Sequence, residues 1–335
     1  MHAMRRRVPA LEASRGVAAL AVLLFHWWVA HGRSPEWADA FGYGWLGVQV
    51  FFVLSGLVLF LPYARGNRLD LGSYAARRFL RIFPAWWVFV LVGGLLLGTP
   101  FTTDTLVQLS FLQMWFSDIR WGWTLPVEAL FYVSLPLLVW ATARYRPLRV
   151  PLLMLLIPAG WVSILAWQED HRVFTPLTWI DQFAWGMLAA LAIAAGVRVR
   201  WWAVLGSCAG LALVLAWAPR QLESPYGFPY ANLTAPFFAV LLAWLATADL
   251  RVPAPLVWLG TVSYGLFLWH AVTLPLLNDR GLQTLPDPVE LAVLIPASLA
   301  LAWGSWRLVE RPAIRFSRRV RRRRGLDPVV VPAQT

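Results

Sequence analysis

An all-α, polytopic membrane protein with about ten transmembrane helices and both termini in the cytoplasm is what this sequence predicts. Three observations carry that expectation. The 335 residues are 59% apolar and 14% charged, where a soluble domain carries about 25% charged residues. Apolar runs recur along the whole chain, near 9–30, 44–62, 79–99, 124–141, 149–167, 178–196, 200–217, 233–247, 256–276 and 288–308. A span needs about 20 such residues, so the eighth run is short. The third observation is charge segregation. With the N-terminus placed in the cytoplasm, the inner segments are 1–8, 63–78, 142–148, 197–200, 248–255 and 307–335. Together with Arg81 and Arg149 at inner helix ends, that side holds 23 of the 29 basic residues. Arg33, Arg120, Arg172, Arg220 and Arg280 fall in outer loops, and Arg15 lies within the first span. Such an asymmetry orients a multi-pass protein in the cell membrane.

The +12 net charge therefore belongs to an inner membrane face. The Arg-rich stretch 315–324 suits anionic lipid rather than nucleic acid. Residues 1–312 read as one transmembrane domain, without repeat or linker, and 313–335 as a basic, disordered cytoplasmic tail. Trp27, Trp28, Trp86, Trp87, Trp201 and Trp202 lie near predicted helix ends, as interfacial anchors do. The single cysteine, Cys208, cannot form an internal disulfide or a thiolate metal site and reads as a small core residue; no bound metal or cofactor is expected. A cleavable signal peptide is the competing reading of the first 30 residues. Glu12 and Arg15 interrupt what would be its apolar core.

The first run, Glu12 to His26, sets the functional reading. A charge inside hydrocarbon costs several kcal/mol, so Arg15 is not expected to face lipid. Eleven residues separate it from His26, so the two share a helix face within about 20° and stand about 16 Å apart along the axis. Glu12, three residues before Arg15, can pair with it locally. Counting residues from the outer helix ends puts His26, Gln49, Glu128, Asp181 with Gln182, and His270 in one layer, roughly 5–9 Å below the outer surface. Gln49 and Asp181 read as members of that network. Glu128 can equally serve as a structural carboxylate, and His270, behind Tyr264 and Trp269, as a packing residue. An inner set comprises Arg15 with Arg77, Arg78 and Arg81. Arg78 and Arg81 share a helix face, and two guanidiniums there can offer paired donors to a phosphate ester or act as ordinary inner-face anchors. A neutral histidine can take a proton from an alcohol, and a carboxylate can orient it. The combination fits acyl transfer to a hydroxyl from an anionic cytosolic donor. A proton-coupled transporter or exporter is the alternative use of buried His, Glu and Arg.

At these residues the chain resembles the membrane-bound acyltransferase-3 family of integral-membrane O-acyltransferases. Leu11-Glu-Ala-Ser-Arg-Gly16 through His26 resembles its Arg-x10-His signature, and Gly47-Val-Gln-Val-Phe-Phe-Val-Leu-Ser-Gly56, with Ser55, its second-helix motif. Arg78-x-x-Arg81 is similar to its Arg-x-x-Arg pair, and Trp123-Thr-Leu-Pro-Val-Glu128 with Phe131-Tyr132 to its Trp-Ser-Leu-x-x-Glu motif. Leu259 to His270, and Val309-Glu-Arg-Pro312, resemble its late motifs. Six in order cover essentially the whole chain. Glu12 and Gln49 stand where the family usually and often, respectively, has Asp, and no soluble hydrolase-like segment is expected from the residues after the last helix.

The resemblance implies an acyl-CoA co-substrate entering from the cytoplasm. The acyl group is acetyl or another short one, and the acceptor a hydroxyl of a carbohydrate, envelope glycan or glycosylated small molecule. It implies His26 as base or transient acyl carrier, and Arg15, Arg78 and Arg81 as donor-binding. Glu128 and Tyr132 would orient His26 or the acceptor, with Gln49, Ser55, Trp123, Asp181, Tyr264 and His270 in support.

Overall fold

The computed structural model describes residues 8–32, 36–116, 122–169, 175, 177–217 and 230–323. Among the expected outer-loop arginines, Arg33, Arg120, Arg172 and Arg220 fall outside those residues, as do Arg5, Arg6, Arg7 and Arg324. Among the described residues the structure is helical, with no strands. The helices are α1 (Pro9–Ala30), α2 (Leu46–Ala64), α3 (Leu71–Val88, prolonged through a π-turn at Phe89–Gly93 to Leu96), α4 (Thr103–Leu109), α5 (Gln113–Phe116), α6 (Thr124–Arg144), α7 (Arg149–Glu169), α8 (Ile180–Ala194), α9 (Trp201–Trp217), α10 (Tyr230–Thr247), α11 (Ala254–Asn278), α12 (Asp287–Ser305) and α13 (Arg311–Arg323). A second π-turn, Trp306–Glu310, joins α12 to α13. Helix therefore continues to Arg323, inside the stretch read as tail.

Seven helical stretches among the described residues are long and apolar enough to cross a membrane. Ile180–Ala194, Trp201–Trp217 and Asn232–Thr247 are apolar but shorter. They stand where the sixth, seventh and eighth runs were expected. This is a multi-pass membrane protein.

The bundle is built on close helix crossings. Helix α1 packs against α11, and α2 against α8. A Cβ on Gly260 would collide with the Glu12 carbonyl of α1, and one on Gly186 with the Val53 carbonyl of α2. In lipid, where apolar side chains gain nothing by leaving the bilayer, such small residues let backbones approach and gain dispersion contact. Gly47 meets the Ala18 carbonyl in the same way, and Gly44 that of Ala21. These contacts set α1 and α2 in register: the start of α2 lies level with the middle of α1. At the far end of α1, His31 Nε2 pairs with the buried carboxylate of Glu290 at 2.8 Å, which ties α1 to α12. Helix α1 is thus a full member of the bundle.

Two expectations about single residues change. Trp27 and Trp86 are fully buried rather than interfacial. Trp86 donates its indole N–H to the Gln108 carbonyl, which draws the α4–α5 segment down against α3. Trp87, Trp201 and Trp202 are exposed as expected of anchors. Cys208 is exposed rather than in the core. Helix α9 packs mainly on α10 and leaves Leu205, Leu213 and Trp217 facing outward as well.

Candidate functional site

The arginines come together around a cavity of about 100 Å³. Arg15 of α1, Arg78 and Arg81 of α3, Glu128 and Tyr132 of α6, Ser55 of α2 and Tyr264 of α11 all line it. Helical spacing explains the convergence, since Arg78 and Arg81, like Glu128 and Tyr132, are three or four residues apart and share a face. The opposite wall is apolar, with Val48, Phe51, Phe52 and Phe267.

The polar side of the cavity is tightly ordered. Ser55 Oγ donates to Glu128 Oε1 at 3.0 Å, and the Tyr132 hydroxyl donates to the same oxygen at 2.5 Å. Tyr74 donates to the Tyr132 carbonyl at 2.9 Å, and Tyr264 to the Ile82 carbonyl at 3.0 Å. The Arg78 guanidinium sits 5.4 Å from the centroid of the Tyr132 ring, and that of Arg81 5.9 Å from the Tyr264 ring. Both lie within cation–π range. Among the described residues, no carboxylate lies within 4.0 Å ion-pair distance of Arg15, Arg78 or Arg81. The local Glu12–Arg15 pair expected from spacing is therefore not formed. Three cations facing one cavity without such a pair carry desolvation that an entering anion would offset.

A residue missed in naming the site lies behind this cluster. Glu310, in the π-turn before α13, is 1% exposed. It accepts from Ser305 at 3.3 Å, packs against Gly265, and is within electrostatic range of Arg81 and Arg15. Its motif, Val309-Glu-Arg-Pro312, was visible. The signal for its role was a carboxylate in a segment otherwise rich in arginine.

His26 lies elsewhere, nearer the far end of α1, and is not among the residues lining the cavity. Its Nδ1 is 2.8 Å from the Val22 carbonyl. A carbonyl only accepts, so Nδ1 carries the hydrogen and Nε2 of the neutral ring keeps a lone pair. The neighbouring group is His270, with ring centroids 4.9 Å apart. His270 Nδ1 is held the same way, 3.1 Å from the Leu266 carbonyl. His270 is 4% exposed, whereas the His26 side chain is exposed. The accessible imidazole thus has a buried second imidazole at its side, and Nε2 of each is its basic atom.

The single outer layer expected from depth counting separates into several places. Trp123, at the start of α6, packs on Phe52 at 6.3 Å and on Trp179 at 5.3 Å between ring centroids. Phe52 is already two turns inside α2. Both α6 and α8 therefore begin in mid-bundle, because the turns before them are drawn inward by aromatic packing. Glu128 consequently joins Arg15, while His26 stands with His270. Asp181 is buried beside Gly160 and Trp161 of α7. Gln182 donates to Asn232 of α10 at 3.0 Å. Gln49 is 2% exposed, and its Oε1 has no hydrogen-bond partner among the described residues. Trp123 packs behind Phe52 and is not among the residues that line the cavity.

Fold and site together define a multi-pass membrane bundle with a cavity lined by three arginines and, farther along the first helix, His26 packed against His270 of α11. The chain belongs to the acyltransferase-3 family, whose acyltransferase-domain profile matches residues 8–307. It is 25% identical over 361 residues to a peptidoglycan O-acetyltransferase, OatA, of Listeria monocytogenes, covering 92% of this chain and 56% of that protein. It is 25% identical to a putative acetyltransferase, ORF330, of Acidianus two-tailed virus, covering 82% of this chain and 86% of the relative. It is 27% identical to an exopolysaccharide production protein, ExoZ, of Rhizobium meliloti, covering 91% of this chain and 98% of that one. The chain spans about half the length of several of its curated relatives, OatA among them. No solved structure matches it.

Proposed function

We propose that the protein is a membrane O-acyltransferase that moves a short acyl group from acyl-CoA to a hydroxyl of a glycan. The observation that carries this reading is the cavity with three arginines outside any close ion pair, set on the same helix face as a histidine with a free Nε2. A donor anionic at one end and reactive at the other, with a slender arm between, matches that layout. Arg15, Arg78 and Arg81 hold its phosphates by charge-assisted hydrogen bonds. Glu128, fixed by Ser55 and Tyr132, limits the positive charge so that the donor can also leave.

At the other end His26 acts as general base. Its Nε2 takes the proton of the acceptor hydroxyl as that oxygen attacks the thioester carbonyl. The carbon–sulfur bond breaks, the ester forms, and the departing thiolate recovers the proton from His26 as a thiol. The Val22 carbonyl, not a carboxylate, fixes the ring. The named relatives that act on peptidoglycan and produce exopolysaccharide support a glycan acceptor. The arginine distribution supports a cytoplasmic side for the cationic cavity and for both termini.

The test is incorporation of label from acetyl-CoA into peptidoglycan fragments or exopolysaccharide by the purified chain in liposomes. Label appearing as an ester on the glycan is expected. Binding of acetyl-CoA with movement of a solute and no ester formed would overturn the enzyme reading in favour of transport.

A further inference from the structure

At the end of α1 away from the arginines, one ion pair ties the helix down. Glu290, in the first turn of α12, is fully buried, and its Oε2 lies 2.8 Å from His31 Nε2. Its Oε1 has no hydrogen-bond partner among the described residues. His31 is thus the group that keeps this carboxylate from being a bare buried charge.

The other nitrogen of the His31 ring is committed as well. Nδ1 lies 2.8 Å from the Trp27 carbonyl, which also accepts the His31 main-chain N–H at 3.2 Å. A carbonyl only accepts, so Nδ1 carries a hydrogen. A neutral ring then presents a lone pair at Nε2, and an ionised carboxylate offers only lone pairs. Two such atoms repel at 2.8 Å. The pair therefore holds one further proton, on the ring or on the carboxyl.

That proton bears on His26. Trp27, the next residue, is fully buried. Its ring lies 4.7 Å from that of His31 and 6.1 Å from those of Trp37 and Phe41. The His26 side chain is exposed, and its hydrogen bond runs to its own helix, at Val22. Its position therefore follows that of the last turn of α1, and the Trp27–His31–Glu290 chain seats that turn on α12.

We propose that His31 and Glu290 are positioning residues for His26: the proton they share holds the last turn of α1 on α12, and with it the reactive imidazole. This rests on the acyltransferase reading above. Raising the pH removes the shared proton and loosens the turn. The sign is opposite to that of His26 itself, which gains its lone pair as pH rises. Transfer is therefore expected to rise and then fall with pH. Besides His26 on α1, the charged or titratable groups on the elements around the pair are Glu36 and Asp39 of the short helix Glu36–Tyr43, Asp279 and Arg280 after α11, and Asp287 of α12. Asp287 is half-buried and the other four are exposed, and none of the five forms an ion pair with His31 or Glu290.

The experiment is steady-state transfer from acetyl-CoA to a glycan fragment by the purified full chain in liposomes, from about pH 6 to about pH 9.5. Acetyl-CoA affinity is measured alongside. In Glu290→Ala, kcat is expected to fall about 10- to 100-fold, as for a misplaced reacting group, with affinity within about twofold. Glu290→Gln keeps the shape, and its amide N–H can donate to the Nε2 lone pair of a neutral His31. It is expected to hold kcat within about threefold at neutral pH and to abolish the fall at high pH. It also keeps the test decisive where alanine disturbs the bundle. An alkaline fall that Glu290→Gln leaves intact, no such fall in the unaltered protein, or an unchanged kcat in Glu290→Ala each overturns the positioning role. So does a loss of acetyl-CoA affinity that matches the loss of kcat, which would mark general damage to the bundle. No ester from the unaltered protein at any pH overturns the acyltransferase reading, and the positioning role with it.

Discussion

The two ends of α1 solve different problems. Around Arg15 the bundle is crowded, bonded and cationic, with five helices contributing side chains and one carboxylate oxygen held by two hydroxyls. Around His26 there is one exposed imidazole, one buried imidazole, and main-chain carbonyls as their fixed partners. The first arrangement suits holding a charged group strongly and reversibly. The second fixes an imidazole through Nδ1 and leaves Nε2 available as its basic atom. In the proposed function, their separation by about 16 Å assigns binding to one end of the helix and reaction to the other.

The sharpest way to break this comparison is to remove the reactive end alone. His26→Ala is expected to lower the rate of transfer by about 10³-fold, within the range for loss of a general base. Acetyl-CoA affinity, measured by calorimetry, should stay within about twofold, the precision expected of a site that the substitution does not touch. A comparable loss of affinity would mean that the two ends are one site.

Next in size is a break in the scaffold beneath the binding end. Gly260→Val places two methyl groups against the Glu12 carbonyl, where even a Cβ collides. Overpacking at a backbone contact is expected to cost about 3 kcal/mol, read as a lower unfolding temperature in detergent. Gly206→Val, with open space around its Cβ position, is the control and is expected to leave stability within about 0.5 kcal/mol or raise it slightly, since valine has better helix propensity than glycine. Equal losses would remove Gly260 as a pinning point. Smaller again is Arg78→Ala. It is expected to raise the KM for acetyl-CoA by about 30-fold, or about 2 kcal/mol for a charged hydrogen bond, with kcat changed far less. A fall in kcat at unchanged KM would move Arg78 from binding to chemistry.

Much of this was legible before the coordinates. The all-helical, multi-pass character followed from the recurring apolar runs, and the arginine cluster from spacing on α1 and α3, whereas seven rather than ten stretches among the described residues are long and apolar enough to span. What failed was depth. Counting residues from an assumed outer surface works for α1 and α11, which run through the bundle. It fails for α6 and α8, whose first residues are drawn to mid-bundle by Phe52, Trp123 and Trp179. No local pattern announces that Trp123 packs on Phe52, since the contact joins residues 71 positions apart. The misplacement of Glu128 beside His26 followed directly. Glu310 was hidden for the same reason, because a π-turn turns its carboxylate inward toward Gly265.

The smallest predicted effect tests which end Glu128 serves. The Tyr132 hydroxyl and Ser55 Oγ share one oxygen of that carboxylate. Tyr132→Phe removes one donor and leaves the ring under Arg78 in place. Loss of a single such bond is worth about 1 kcal/mol, so a change of about fivefold is expected. If Glu128 belongs to the binding end, the change appears in the KM for acetyl-CoA and kcat is nearly constant. If Glu128 instead acts on His26, the change appears in kcat and in its dependence on pH. Tyr132→Phe combined with Arg78→Ala then decides whether the two act together. A combined effect on KM smaller than the sum of the separate free energies places carboxylate and guanidinium in one network. Strict additivity would leave the Glu128 cluster as scaffolding.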